Sequence, residues 1–393
     1  MAVTADIVVV GGGVMGTSIA HELARRRAGK VLVLEKSFLG AGSSGKSGAI
    51  IRQYYSHSLT AGMAQFGLRF FKQFHEIVGG PPVFSHAGMV LVVAESDRKK
   101  LENNLAMQRG LGIKTKAISP DELKSIDPHA ELADDEVAAF EEEAGYCDAL
   151  QVVFSLAERA RQMGVEVRER TQVTAISLSG TRVVGVQTTS GPVHSRTVIL
   201  AAGPWAGRLA GMAGAPVPVQ SCRTQVALFR RPCDFGSPRP VYGDFRQQIY
   251  FKPTAGEMLH VGNIDPREER SLVDPDDYNE VADCEFIREM SDKLNHRYAT
   301  MRRGISRGGY GALYAVTPDW HPILDQLPGI EGLFCAVGFS GHGFKLSPAV
   351  ATLLGELVLD GGATSFEIRP LRATRFAEGE LFGDQRLSYS VMG

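Results

Sequence analysis

Residues 6–16 read Asp6-Ile7-Val8-Val9-Val10-Gly11-Gly12-Gly13-Val14-Met15-Gly16. The run 6–10 is short, apolar and rich in β-branched side chains, which suits a fully buried parallel strand. Gly11, Gly13 and Gly16 then form a Gly-x-Gly-x-x-Gly turn, and a helical pattern runs from Val14 to about Arg27. A second apolar run, KVLVLEK, reaches Glu35, roughly 20 residues past the last glycine, where a dinucleotide fingerprint places an acid. Each part has a mechanical reason. Gly11 permits the tight turn, Gly13 lets a diphosphate approach the backbone, and Gly16 lets helix and strand pack closely. The helix N-terminus offers free N–H groups and partial positive charge to the diphosphate. Glu35 accepts hydrogen bonds from an unphosphorylated ribose, which disfavours NADP and leaves FAD or NAD.

The rest of the chain departs from a simple series of βα repeats. A small-residue loop, Gly40-Ala41-Gly42-Ser43-Ser44-Gly45-Lys46-Ser47-Gly48-Ala49-Ile50, follows Glu35. A helix is expected over 61–77, a strand over 88–94, a charged helical stretch over about 96–127, and a helix feeding a strand from Cys147. Two alternating strands joined by a glycine turn fit 173–189, and a buried strand fits 198–202. Residues 222–262 read mostly as strand, and Glu285–Tyr298 as an amphipathic stretch. The C-terminal part reads as strand, glycine loop and helix. The expected class is α/β, a Rossmann-type FAD-binding domain interleaved with an α+β substrate domain on a mostly antiparallel sheet. Segments 1–85, 146–220 and 315–393 are assigned to the first domain, and 86–145 and 221–314 to the second.

Composition narrows the partners. Among 393 residues, 42 Lys and Arg stand against 44 Asp and Glu, a formal net charge of -2. No basic excess exists to replace phosphate counterions, so nucleic acid is not an expected partner. The hydrophobic fraction of 44% suffices for a sizeable core. Cys147, Cys222, Cys233, Cys284 and Cys335 are scattered, with no Cys-x-x-Cys pair. Neither a disulfide framework nor a metal cluster is expected, and a reducing, cytoplasmic setting follows. The N-terminal residues lack the basic region of a signal peptide. No apolar run is long enough to span a bilayer.

Several separated motifs resemble the FAD-dependent D-amino-acid oxidase and sarcosine oxidase superfamily. They are the glycine turn with Glu35; Gly42-Ser43-Ser44 leading to Ile50-Ile51-Arg52; Ala201-Ala202-Gly203-Pro204-Trp205; Tyr314-x-x-Thr317-Pro318-Asp319 with His321-Pro322; and Gly338-Phe339-Ser340-Gly341-His342-Gly343-Phe344-Lys345. The closer resemblance is to sarcosine oxidases, including the beta subunit of the heteromeric type, and covers nearly the whole chain. It implies FAD with its adenine end on Glu35 and Lys36 and its diphosphate on Gly11, Gly13, Val14, Met15 and Gly16. Ser43 and Ser44 would lie near the diphosphate or ribityl chain, Val173 beside the adenine, and Ala202, Gly203 and Trp205 along the cofactor. Gly338, Gly341, His342, Gly343, Phe344 and Lys345 would border the pyrimidine end of the flavin.

The implied reaction is oxidation of the C–N bond of a small amino acid, N-methylated or cyclic, by hydride transfer to flavin N5, giving an imine that hydrolyses. The amine must be neutral beforehand, because an ammonium has no lone pair to share. Arg52 occupies the position that grips the substrate carboxylate, a role that suits a bidentate guanidinium. Lys345 contacts the same carboxylate, and its charge at a helix N-terminus favours an anionic reduced flavin. Tyr250 fits either an active-site or a core tyrosine. His342 fits either the site or an internal bond of the glycine loop. Tyr54 and His57 follow Arg52 with no role set by the motif.

Three positions depart from the resemblance. Ala312 stands where monomeric sarcosine oxidases carry a flavin-tethering cysteine, and Lys46 lies near where dimethylglycine dehydrogenases use a histidine, so non-covalent FAD is expected. Cys335, within a strand, reads as core. His260 takes the place of a lysine that serves oxygen in the monomeric oxidases, which leaves oxidase or dehydrogenase open. Gly45 and Ala49 replace polar residues near the flavin, leaving N-methyl specificity open. The alternatives are a flavin subunit of a hetero-oligomeric amino-acid dehydrogenase, a 2-hydroxy-acid oxidoreductase, or an NAD-dependent dehydrogenase; the assembly is left open between homo- and hetero-oligomer.

Overall fold

The computed structural model describes residues 3–236, 240–264 and 271–383. The parts of the assigned domain segments at 1–2, 237–239, 265–270 and 384–393 lie outside the described residues.

The quoted opening run forms the strand Ile7–Val10, fully buried, at the centre of a six-stranded sheet. It pairs in parallel with Val31–Leu34 on one side and Thr197–Leu200 on the other. Glu166–Arg168 extends the sheet at one edge, and Leu333–Val337 and Ile323–Gln326 extend it at the other, the last antiparallel. Period-two alternation gives the sheet two apolar faces. Val9, Val31, Val33 and Ile199 pack against the helices Val14–Arg25, Ser58–Lys72, Ala149–Gln162 and Gly343–Leu359. Val8, Val10, Leu32, Leu34 and Leu200 pack against Val173, Ile176, Val183 and Val186 of a four-stranded sheet. The buried hydrophobic runs read from the sequence are therefore buried on both faces, as parallel strands require.

The second large sheet has eight strands. Its pairings are antiparallel except between Val241–Asp244 and Met89–Ala94, which run parallel. One face carries Ala227, Tyr242, Phe251, Leu259 and Val261 and packs on the amphipathic helix Cys284–Arg297 through Phe286, Met290 and Leu294. The other face carries Tyr250, Lys252, His260 and Gly262, since side chains alternate along paired strands. A small three-stranded sheet has Gly145–Cys147 at its centre, paired antiparallel with Ile50–Ile51 and with Phe84–His86.

Two expectations need correction. The stretch 96–127 is a helix Arg98–Gly110, an edge strand Thr115–Ile118 and a short helix Pro120–Ile126. The strand's ends are buried and its centre exposed, a pattern hidden by charged helical neighbours. The helix expected over 61–77 starts at Ser58, where the His57 ring accepts a bond from Leu59 N–H, and ends at Lys72, with a single turn Phe74–Ile77 beyond. No helix of the described residues is long and apolar enough to cross a membrane.

Candidate active site

The glycine turn is built by close approaches. Gly11 has φ +117°, and a Cβ there would sit 2.4 Å from the carbonyl oxygen of Ala201. A Cβ on Gly16 would sit 1.9 Å from the carbonyl oxygen of Gly11. Only glycine fits either place. Gly13 precedes the helix Val14–Arg25, whose first-turn N–H groups have no intrahelical acceptor. Ser44 Oγ accepts one of them, from Val14, at 2.9 Å. A Cβ on Gly13 would press to 2.9 Å from the same oxygen, so loop and helix end form one cradle. The side chains of Val14 and Met15 turn into the core and leave only backbone to the cradle.

The Glu35 carboxylate accepts the N–H groups of Gly12 at 2.7 Å and Ser37 at 2.8 Å. These bonds fix its two oxygens at the strand end, each with a lone pair left for a ribose hydroxyl. Thr171 N–H donates to Glu35 O at 2.8 Å, which brings Val173 to this side. Ala202 leads into the turn Gly203–Trp205. Lys36 Nζ lies 3.7 Å from the Trp205 ring centroid and 2.7 Å from Asp276, and Trp205 Nε1 donates to Asp276 at 2.8 Å. Asp276, which clips both, is invisible to motif reading because it lies 71 residues beyond Trp205.

Residues 41–48 are all half-buried. Ser43 Oγ donates to Leu313 O at 2.6 Å, Lys46 Nζ reaches Glu280 at 2.6 Å and Gly311 O at 3.0 Å, and Tyr310 OH donates to Lys46 O at 3.0 Å. The loop thus lies along Ile305–Val316, an edge strand of the eight-stranded sheet. On the far side comes the second glycine loop. Gly338 has φ +72° and Gly341 faces the Tyr314 ring, where a Cβ would come within 2.9 Å. A Cβ on Gly343 would come within 2.9 Å of Phe339. Phe344 turns its ring away to stack on Phe71 at 5.8 Å, so only its backbone remains for the loop. Asp319 of the Thr-Pro-Asp motif pairs with buried Arg375 at 2.8 Å and accepts Phe382 N–H at 3.0 Å, which ties residues 375–382 to this loop.

Arg52, His342 and Lys345 converge on one ring, Tyr55. The Arg52 guanidinium carbon is 4.3 Å and Lys345 Nζ 5.9 Å from its centroid. Tyr55 OH and His342 Nδ1 are 3.2 Å apart. All four side chains are buried. Arg52 also donates to Tyr54 O. Burial, then the Arg52 charge, holds the Lys345 ammonium well below its ordinary pKa. Burial, then Lys345 and Arg52, pushes His342 well down, so it is neutral. Burial raises the Tyr55 phenol to about 12. Among the described residues no carboxylate pairs with Lys345.

Tyr250 and His260 form a second group, with ring centroids 6.0 Å apart. Sequence reading missed their neighbour Lys252, although its place two residues after Tyr250 puts it on the same face. A Cβ on Gly48 would lie 3.3 Å from His260 Nε2 and 3.7 Å from Lys252 Cε. His260 Nε2 is buried without a partner, and Lys252 Nζ lies 4.3 Å over the Tyr146 ring. Burial, then Lys252, lowers His260 to about 3, so it is neutral at pH 7; burial lowers Lys252 to about 8. The charge on this face therefore resides on Lys252. Cys335 is buried in the six-stranded sheet, and Ala312 lies on the edge strand beside the loop. Among the described residues no His, Cys, Asp or Glu cluster could hold a metal ion.

A dinucleotide cradle, two glycine loops and a buried basic pair over one tyrosine ring point to a flavin-dependent oxidoreductase. The chain belongs to the FAD dependent oxidoreductase family, whose profile matches residues 6–357. It is 30% identical to the peroxisomal sarcosine oxidase of Homo sapiens, over 94% of this chain and 96% of that protein. It is 26% identical to sarcosine oxidase subunit beta of Arthrobacter sp, over 96% of this chain and 93% of the relative. The L-proline dehydrogenase of P. horikoshii superposes with a TM-score of 0.89 at 27% identity, covering 97% of this chain and all of that one.

Proposed function

We propose that the chain oxidises the C–N bond of a small amino acid, N-methylated or cyclic, with non-covalent FAD. The observation that carries this reading is the pair of buried basic side chains, Arg52 and Lys345, over the Tyr55 ring, with no carboxylate paired directly to Lys345 among the described residues. A buried lysine with no directly paired counter-ion is costly to charge, and an incoming carboxylate relieves that cost while fixing the substrate. FAD, when bound, supplies a hydride acceptor for the carbon next to the nitrogen. Arg52 and Lys345 hold the carboxylate, Tyr55 sets the spacing of the two cations, and neutral His342 offers a lone pair or N–H at the same place. Ser44, Glu35 and the turn at Gly11–Gly16 orient the cofactor. Ala312 at the tethering position supports non-covalent binding.

The corresponding domain division, 1–85, 146–220 and 315–393 against 86–145 and 221–314, is supported by membership of the two large sheets. Likeness to a protein named as a beta subunit supports a second reading, a flavin subunit within a hetero-oligomer. Scattered free cysteines support a reducing, cytoplasmic setting. The test is anaerobic titration of the yellow holoprotein with sarcosine, dimethylglycine, proline, pipecolate, D-alanine and a 2-hydroxy acid. Bleaching by an N-methyl or cyclic amino acid is expected. Bleaching by the hydroxy acid alone would refute the C–N assignment. Admission of air then reads oxygen use, and copurifying chains read the second reading.

A further inference from the structure

The eight-stranded sheet reaches the Arg52 station through one carboxylate. Glu141 ends the strand Glu136–Glu141 and is fully buried. It accepts Gln53 N–H at 2.8 Å, Tyr54 N–H at 3.0 Å and Gln53 Nε2 at 3.2 Å. The Tyr54 carbonyl in turn accepts from Arg52 Nη1. Among the described residues Glu141 makes no ion pair with a lysine or arginine. At the other end of the same strand, Glu136 holds Arg297 directly. Glu141 spends its oxygens on the backbone that follows Arg52.

We infer that Glu141 is a positioning residue for the carboxylate station, acting on Arg52 through the Gln53–Tyr54 segment. This rests on the reading of Arg52 and Lys345 given above. Two successive peptide N–H groups donate to one buried carboxylate; such charge-assisted bonds are strong and hold the segment in one conformation. Its Tyr54 carbonyl accepts from the guanidinium and so helps to set where that group lies. Charge acts as well. The groups facing Lys345 are Arg52 and Tyr55 from the segment after Ile51, Glu141 from the sheet and His342 from its own helix end. Glu141 is the acid among them and raises the Lys345 pKa, against the lowering by burial and Arg52.

The experiment uses holoprotein and follows the flavin spectrum during titration with acetate and, as a neutral control, acetamide, from pH 6 to 9. Glu141→Gln is expected to weaken acetate at pH 7 by at least roughly tenfold, the effect of losing one charge-assisted anchor. Its acetate affinity should also fall away at lower pH than in the wild type, because Lys345 loses its proton earlier. Removal of a negative charge alone would tighten acetate binding, so the sign separates positioning from simple electrostatics. Glu141→Asp keeps the charge but shortens the reach. It should weaken acetate with an unmoved pH profile, and it serves if the Gln variant does not fold. Acetate binding as tight as wild type, or tighter, with an unmoved profile would overturn the inference. So would a loss matched by equal losses of acetamide response and FAD content. Failure of the wild type to bind acetate would instead refute the reading of Arg52 and Lys345.

Discussion

Two buried cations flank the eight-stranded sheet and are housed in opposite ways: Arg297, at the end of the helix Cys284–Arg297 packed on one face, and Lys252, on a strand and facing the other way. Arg297, on the helix-covered face, is enclosed by Glu136 at 2.9 and 3.0 Å and Asp244 at 2.8 Å, and also donates to Glu131 O. Asp244 and Glu136 accept further N–H groups from Gln247 and Ala133. Every charge there is answered within the protein. Lys252, on the face toward the loop 41–48, has an aromatic ring and a histidine nitrogen for neighbours; Asp148 supports its charge only from a distance, and among the described residues no carboxylate pairs with it. Lys345, over the Tyr55 ring, likewise has no paired carboxylate among the described residues. The difference teaches how to read buried charge: a completed network is architecture, and an uncompleted one faces what the protein binds.

The comparison breaks first at Arg297. Replacing it with Met strands two buried carboxylates, and a loss of about 3–5 kcal/mol in urea unfolding is expected. Acetate affinity of the folded fraction should stay within twofold, roughly the reach of a site with no shared partners. A large affinity change would join the two ends of the sheet and erase the contrast.

Lys252→Met should act in the opposite direction. The unfolded chain keeps this proton up to about 10.5 and the folded one only to about 8. Between these values the unfolded state binds more protons, so this group makes stability rise with pH, and its penalty is whole below pH 8. The variant should therefore be more stable than wild type at pH 7 by about 1–3 kcal/mol. The gain should shrink as pH rises from 8 towards 10.5. Melting curves at pH 7 and pH 10 check this; a destabilised variant at pH 7 would mean that Lys252 has a partner holding it charged.

Ser44→Ala tests the cradle with the smallest effect. Loss of the bond to Val14 N–H costs about 0.5–2 kcal/mol in a capping position. Apoprotein stability should fall by that amount, and less in the presence of FAD if the diphosphate takes over that N–H. An equal loss with and without FAD would place the diphosphate elsewhere.

The sequence made the cradle legible and left the carboxylate station half-read, for physical reasons. Gly11 and Gly16 sit where a Cβ would meet backbone, so the residue type itself records the contact. Glu35 is fixed by strand length after a helix of known rise. Arg52, His342 and Lys345 carry motif neighbours, and the structure gathers them. Tyr55, Glu141 and Lys252 work through side chains from distant segments; Glu141 meets Gln53 across 88 residues. No local spacing records such a meeting. Lys252 carried a weak signal in its alternation with Tyr250. Asp276 carried none. The short strand Thr115–Ile118 was masked by charged residues on both sides.

Lys345→Met gives the most direct test of the claim that an unanswered buried cation marks the substrate site. Flavin spectra of holoprotein would be followed during titration with acetate and with acetamide at pH 7. The account predicts that wild type responds to acetate well before acetamide, and that the variant loses at least roughly tenfold in acetate affinity, or about 1.4 kcal/mol, while keeping its fold and FAD. Equal acetate affinity in variant and wild type would contradict it.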